Sequence, residues 1–185
     1  MWAVILVFVF LMILALSSVF ALAQSRVPVV RTPTQHLDAI TTALALAPGS
    51  LVVDAGCADG RLLRSLCRRE GVRGLGLELN GGVWLWAWAR TRLSPVRDRV
   101  RIRWADLFRQ DFEEADLVYA FLMPHLLPRL YDKCAEEMRP GSLLATYLFE
   151  VPGRDPERVI LLGKRKDPLH IYRLERAASP DRPKT

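Results

Sequence analysis

Residues 51–60 read Leu-Val-Val-Asp-Ala-Gly-Cys-Ala-Asp-Gly, an apolar run that closes on Asp54 and then turns through Gly56, Cys57, Ala58, Asp59 and Gly60. Gly56 and Gly60 lack a Cβ, so the chain can turn sharply there and approach a ligand closely. A helix starting near Arg61 would aim free N–H groups and its positive dipole end at an anion. Two further apolar runs follow, one ending at Glu78 and one followed by Asp106. The spacing assigns each acid a task. Asp54 and Asp59 receive an ammonium group directly or through water, and Glu78 accepts from both hydroxyls of a ribose, as a carboxylate at the end of a second strand does in dinucleotide folds. Asp106 accepts from the exocyclic amine of adenine, with Leu107 and Phe108 against the ring. A capping or turn role explains any one of these acids alone, but three at successive strand ends are harder to explain that way. A nicotinamide dinucleotide would call for G-x-G-x-x-G, and this loop offers only Gly56 and Gly60. An amino acid joined to an adenine nucleoside describes S-adenosylmethionine.

These groups need elements to hold them, and strand and helix patterns alternate along the chain. Strands are predicted at Leu51–Asp54, Gly74–Glu78, Val100–Trp104, Leu117–Leu122 and Ser142–Phe149. Helices are predicted from Thr34, as N-cap, to about Ala47, then at Arg61–Glu70, Val83–Thr91 and Pro124–Met138. Arg158–Leu162 and Leu169–Leu174 leave no room for a helix between them, so they form an antiparallel pair at a sheet edge. The fold class is α/β, a Rossmann-like, mostly parallel sheet with an antiparallel edge.

The chain has 185 residues and a formal charge of +6. Lys133, Lys164, Lys166 and Lys184 are its lysines, so arginine dominates the excess. Such a surface favours anionic membranes, acidic proteins or nucleic acid. Cys57, Cys67 and Cys134 are odd in number and widely spaced, which fits neither a disulfide framework nor a zinc site; no metal is expected. Trp2 to Ser25 holds no charged residue, and roughly 20 apolar residues suffice to cross a bilayer as a helix. A retained transmembrane helix at 1–25 is preferred over a cleaved signal peptide, although Ala21-Leu22-Ala23 has the look of a cleavage site. Arg26 and Arg31 place the remainder on the positive side, facing the cytoplasm or a mitochondrial matrix. Residues 26–33 form a linker, 34–176 the globular domain and 177–185 a disordered tail.

The run DAGCADG, with Glu78 and Asp106, resembles the nucleotide-binding motifs of the seven-strand (class I) methyltransferases that use S-adenosylmethionine. More narrowly, Val27 to Thr34, DAGCADGR and Gly76-Leu77-Glu78-Leu79-Asn80 resemble a small membrane-anchored group. That group includes mitochondrial lysine methyltransferases acting on adenine nucleotide translocase and on the c-type ring protein of ATP synthase. Gly56-Cys57-Ala58 stands where the group usually has Gly-Ser-Gly. The resemblance implies that the segment from Pro28 to Pro33 and Thr34 lies over the cofactor, that Leu79 and Asn80 join the cofactor site, and that the acceptor is a lysine.

Methyl transfer requires alignment of a neutral nucleophile and exclusion of water, with little acid–base apparatus. A lysine amine, ordinarily with a pKa near 10.4, must first lose its proton. The rim Phe121-Leu122-Met123-Pro124 lacks the Asn/Asp-Pro-Pro-aromatic run of nucleic-acid amino methyltransferases, so no nucleic acid partner is expected. Tyr119, Phe121, His125, Tyr147 and Glu150 are candidates to line an amine channel, against core packing or a solvated loop as the plainer alternative for each. Phe121 also borders the cofactor. Trp84 and Trp88 share a helix face with Trp86 nearly opposite, and Lys164-Arg165-Lys166 reads as a solvated turn. The preferred function is lysine methylation of a membrane-associated protein. A lipid or quinone methyltransferase and a non-catalytic nucleotide-binding module stand as alternatives.

Overall fold

The computed structural model describes residues 2–25 and 30–175. The expected tail at 177–185 and residues 26–29 of the expected linker lie outside them.

The strands are β1 (Leu51–Ala55), β2 (Arg73–Glu78), β3 (Val100–Trp104), β4 (Leu117–Ala120), β5 (Leu143–Tyr147), β6 (Arg158–Leu162) and β7 (Asp167–Arg173). They form one seven-stranded sheet in the order β3-β2-β1-β4-β5-β7-β6. The first five are parallel, β7 is antiparallel to β5, and β6 is antiparallel to β7. The mostly parallel sheet with an antiparallel edge is therefore as expected. β1 and β4 are buried on both faces and are apolar but for Asp54 and the Tyr119 hydroxyl, whereas the edge strand β3 alternates and turns Arg101 and Arg103 outward.

Two apolar cores flank the sheet. One gathers Ile40, Leu62, Leu63, Ala87 and Tyr147, and the other gathers Val53, Val118, Leu127, Leu130 and Tyr172. The helices that supply them are α2 (Leu37–Leu44), α3 (Arg61–Leu66), α4 (Gly81–Arg92) and α5 (Leu127–Glu137). Gly76 shows how tightly one core is set, because a Cβ there would lie 2.7 Å from Ile102 Cδ1 and 2.8 Å from Cys57 Sγ. The loop after β1 is thereby pressed onto β2.

Several boundaries differ from the sequence reading. Thr34 does not cap a long helix: Thr34–His36 is a 3-10 turn, and α2 stops at Leu44 because Ala45 takes a left-handed conformation. α3 ends at Leu66 rather than Glu70, with Cys67 outside helical geometry. β4 stops at Ala120, leaving Phe121 and Leu122 in the turn beyond it.

The first helix, α1, runs Trp2–Ser25 and packs against α4 near Gly81. Among the described residues no helix is long and apolar enough to cross a membrane. The expected transmembrane segment thus stands in the structure only as an apolar helix.

Candidate functional site

The strand order reverses between β1 and β4, and ligands of open parallel sheets bind beyond the strand ends at such a point. The loop after β1 is built for close approach there. Gly56 (φ 84°) and Gly60 (φ 70°) both take left-handed conformations, and Ala58 follows at φ 48°. Gly56 and Cys57 donate their N–H groups to the Leu77 carbonyl at 3.0 and 2.9 Å, which locks the loop to the end of β2.

Glu78 sits in the middle of this lock. Its Oε2 accepts from Ala58 N–H at 3.0 Å and its Oε1 from Asn80 N–H at 2.9 Å. Each oxygen keeps a further lone pair, so the carboxylate can still accept from a diol. Burial raises its pKa, and the N–H groups of Asn80, Ala58 and Leu79 oppose the rise. Asn80 caps α4 by accepting from Val83 N–H at 3.0 Å. Asp106 accepts from Phe108 N–H at 2.9 Å, the plain turn role, while its carboxylate stays open to solvent. Leu107 and Phe108 are half-buried beside it, and Leu79 is exposed at the same rim.

Asp54 closes β1 in a fully buried position, and burial, then Glu78, then Asp59 push its pKa up to about 8. A cation seated beside it would reverse that shift, which is the property an ammonium site needs. Cys57 is also buried, and its thiol is pushed well above the ordinary range by burial and by Asp54. It acts as packing.

Asp59 has a different partner from the one expected. Arg61 grips it through Nε at 2.9 Å and Nη2 at 2.9 Å. Burial favours its neutral form, but the Arg61 hydrogen bonds and charge outweigh this and leave its pKa lowered. Its charge is thus balanced within the loop by Arg61. Because α3 has only six residues, positive charge at this spot comes from Arg61 more than from a helix dipole.

The chain ahead of the domain lies directly on the site. Val30, Arg31 and Thr32 share one cavity with Asp54, Asp59, Tyr119 and Phe121. Its free space is about 10 Å³, at most one water, so the strap packs closely over the end of β1. Pro33 and Thr34, expected to cover the cofactor, lie just beyond the lining.

Two tyrosines hold the strap. Tyr119 OH and Thr32 Oγ1 lie 2.9 Å apart, and Tyr147 OH lies 2.9 Å from His36 Nδ1. Tyr147 also donates to Asp167 Oδ2 at 2.9 Å, and its ring meets Phe121 edge-on at 4.8 Å between centroids. Burial raises both phenol pKa values. Both hydroxyls are thus bonded to the amino-terminal segment and, for Tyr147, also to Asp167. Phe121 stands at the rim, while Glu150 and His125 are exposed beyond β5 and β4.

Thr32, His36, Arg61 and Asp167 were not among the sequence candidates. Only Arg61, two residues from Asp59, carried a local signal.

Residues 54–158 match the family described as the ANTKMT methyltransferase domain. A protein-lysine N-methyltransferase of Saccharolobus islandicus (strain REY15A) is 28% identical over 149 residues, covering 79% of this chain and 92% of that protein. The adenine nucleotide translocase lysine N-methyltransferase of Mus musculus is 28% identical over 150 residues, covering 80% of this chain and 63% of that protein. The crystal structure of an RNA methyltransferase from Salinibacter ruber with S-adenosyl-L-homocysteine superimposes at a TM-score of 0.73 and 26% identity. It covers 82% of this chain and 98% of that one.

Proposed function

Because the chain belongs to the ANTKMT methyltransferase family, we propose that it transfers a methyl group from S-adenosylmethionine to a lysine of a membrane-associated protein. That it is an S-adenosylmethionine-dependent methyltransferase follows from the family and from the neighbouring fold with S-adenosyl-L-homocysteine. The observation that carries the site assignment is Glu78, a buried carboxylate braced by two backbone N–H groups with acceptor capacity left over.

The residues divide the work. Glu78 takes the ribose, Asp54 the ammonium and Asp106 the adenine amine, with Gly56, Cys57, Ala58 and Gly60 shaping the loop. When bound, the cofactor supplies an electrophilic methyl group. Phe121 and its apolar rim receive the lysine stem, and apolar surroundings favour the neutral amine that the displacement requires. Glu150 meets the incoming ammonium at the entrance. Tyr119 and Tyr147 act through the strap, closing the site against water.

The lysine reading is supported by the names of the relatives and by the apolar rim. The membrane reading is supported by the charge-free run from Trp2 to Ser25 and by the exposed apolar side chains of α1. In this reading α1 attaches the enzyme to the bilayer, with the domain on the cytoplasmic or matrix side. Incubating membranes from a strain lacking this protein with the enzyme and radiolabelled cofactor tests the acceptor. Label on lysine in the protein fraction, absent with Glu78→Ala, is the expected result. Label confined to the organic-extractable lipid would overturn it.

A further inference from the structure

Surface helices normally bury one stripe and turn a polar face to water. α4 departs from this. Ala87 and Thr91 are buried and Trp84 packs toward β3, donating to the Ile102 carbonyl at 3.3 Å and stacking on Trp104. At 100° per residue the opposite side carries Leu85 and Ala89, both half-buried, with the C-cap Leu93 beyond Arg92 and with Trp86 and Trp88, about 160° apart, along its two borders. Trp86 is 54% exposed, Trp88 40% and Leu93 89%. The outward side is thus apolar at its borders and at its carboxyl end, with Arg90 and Arg92 exposed among these groups.

The cations beside it are arranged to match. The Arg90 guanidinium lies 5.6 Å from the Trp86 ring centroid and that of Arg92 5.7 Å from the Trp88 ring centroid. Next to Trp88 an open groove of about 480 Å³ is lined by Arg92, Arg97, Arg101 and Arg103. Its one acid, Asp98, lies 3.8 Å from Arg97 and is largely exposed. Tryptophan paired with arginine around an apolar strip is the composition that settles at the boundary between headgroups and acyl chains. α1 packs on the start of the same helix and adds its own exposed apolar shaft.

We propose that the outward face of α4 is a membrane-docking surface that seats the domain on an anionic bilayer, with Trp86, Trp88 and Leu93 entering the interface and Arg92, Arg101 and Arg103 meeting acidic headgroups. The proposal adds a second contact to the attachment through α1 and does not require α1 to span the bilayer. Its consequence is orientation. The docked face belongs to the helix that follows Asn80, so the cofactor end of the sheet is held at a set distance from the membrane.

The test uses the full chain in vesicles of phosphatidylcholine with or without phosphatidylglycerol, the lipids carrying bromine at known depths to quench tryptophan. Shallow bromines quench the wild type, and Trp86→Phe with Trp88→Phe removes that shallow component while Trp2→Phe does not. Arg92→Glu lowers the preference for anionic vesicles about fivefold. Circular dichroism and cofactor affinity, unchanged in all variants, exclude misfolding. Loss of quenching with Trp2→Phe alone would leave α1 as the membrane contact and overturn this proposal. No quenching at any tryptophan would overturn the attachment through α1 as well. A dimer in detergent that dissociates on the Trp86/Trp88 exchange would assign the face to a second copy and also overturn it.

Discussion

At the ends of β1, β2 and β3 the polar side chains bond to nearby backbone, Glu78 to Ala58 and Asn80 and Asp106 to Phe108. At the ends of β4 and β5 they reach instead to the amino-terminal strap, Tyr119 to Thr32 and Tyr147 to His36. The acidic half is completed as soon as its loops fold and stands ready for a ligand. The tyrosine half is completed only when a distant segment docks. In the proposed function the first half supplies affinity and the second controls access.

The largest effect that would break this division is at Glu78. Removing two charge-assisted hydrogen bonds to a ribose, each worth about 1.5–3 kcal/mol, should weaken cofactor binding by Glu78→Ala about 100-fold or more. Calorimetry reads the affinity and circular dichroism the fold. An affinity within about fivefold of wild type would take the ribose away from the acidic half.

Asp54 sharpens the comparison through pH. Its carboxyl is raised from 3.8 to about 8, so ionising it works against the folded state: that cost is absent below the unfolded value, grows as pH rises, and levels off above the folded one. A bound ammonium favours the ionised form. Binding at neutral pH should therefore release a proton, and cofactor affinity should rise with pH, by up to about tenfold per unit, until it flattens above about 8. Titrations in buffers of different ionisation enthalpy measure the proton, and Asp54→Asn should abolish its release.

The smallest effect belongs to the strap. Tyr119→Phe removes one hydrogen bond of about 1 kcal/mol, which is about fivefold in an opening equilibrium. Cofactor association and dissociation should both quicken by about that factor in stopped-flow measurements while the equilibrium constant changes little. A change in affinity without a change in rates would give Tyr119 a direct ligand contact and dissolve the distinction between the halves.

Asp54, Gly56, Gly60, Glu78 and Asp106 were legible in the sequence because strand periodicity and chain-local turns position them. So were the seven strands and the antiparallel edge, since Arg158 to Leu174 has no room for a crossover. The pairing of Asp59 with Arg61 was not anticipated because it depends on the rotamer of Arg61, which pattern does not specify. His36 and Asp167 left no local signal.

The physical reason is range. The amino-acid sequence by itself determined the alternation of elements, the glycine turn and the acids at strand ends, all set by contacts a few residues apart or by backbone bonding to an adjacent strand. Tertiary structure alone decided which hydroxyls are engaged and what covers the site. Those outcomes rest on bonds spanning 87 residues for Thr32 with Tyr119 and 111 for His36 with Tyr147, and such pairs meet only once β4 and β5 have taken their places beside β1.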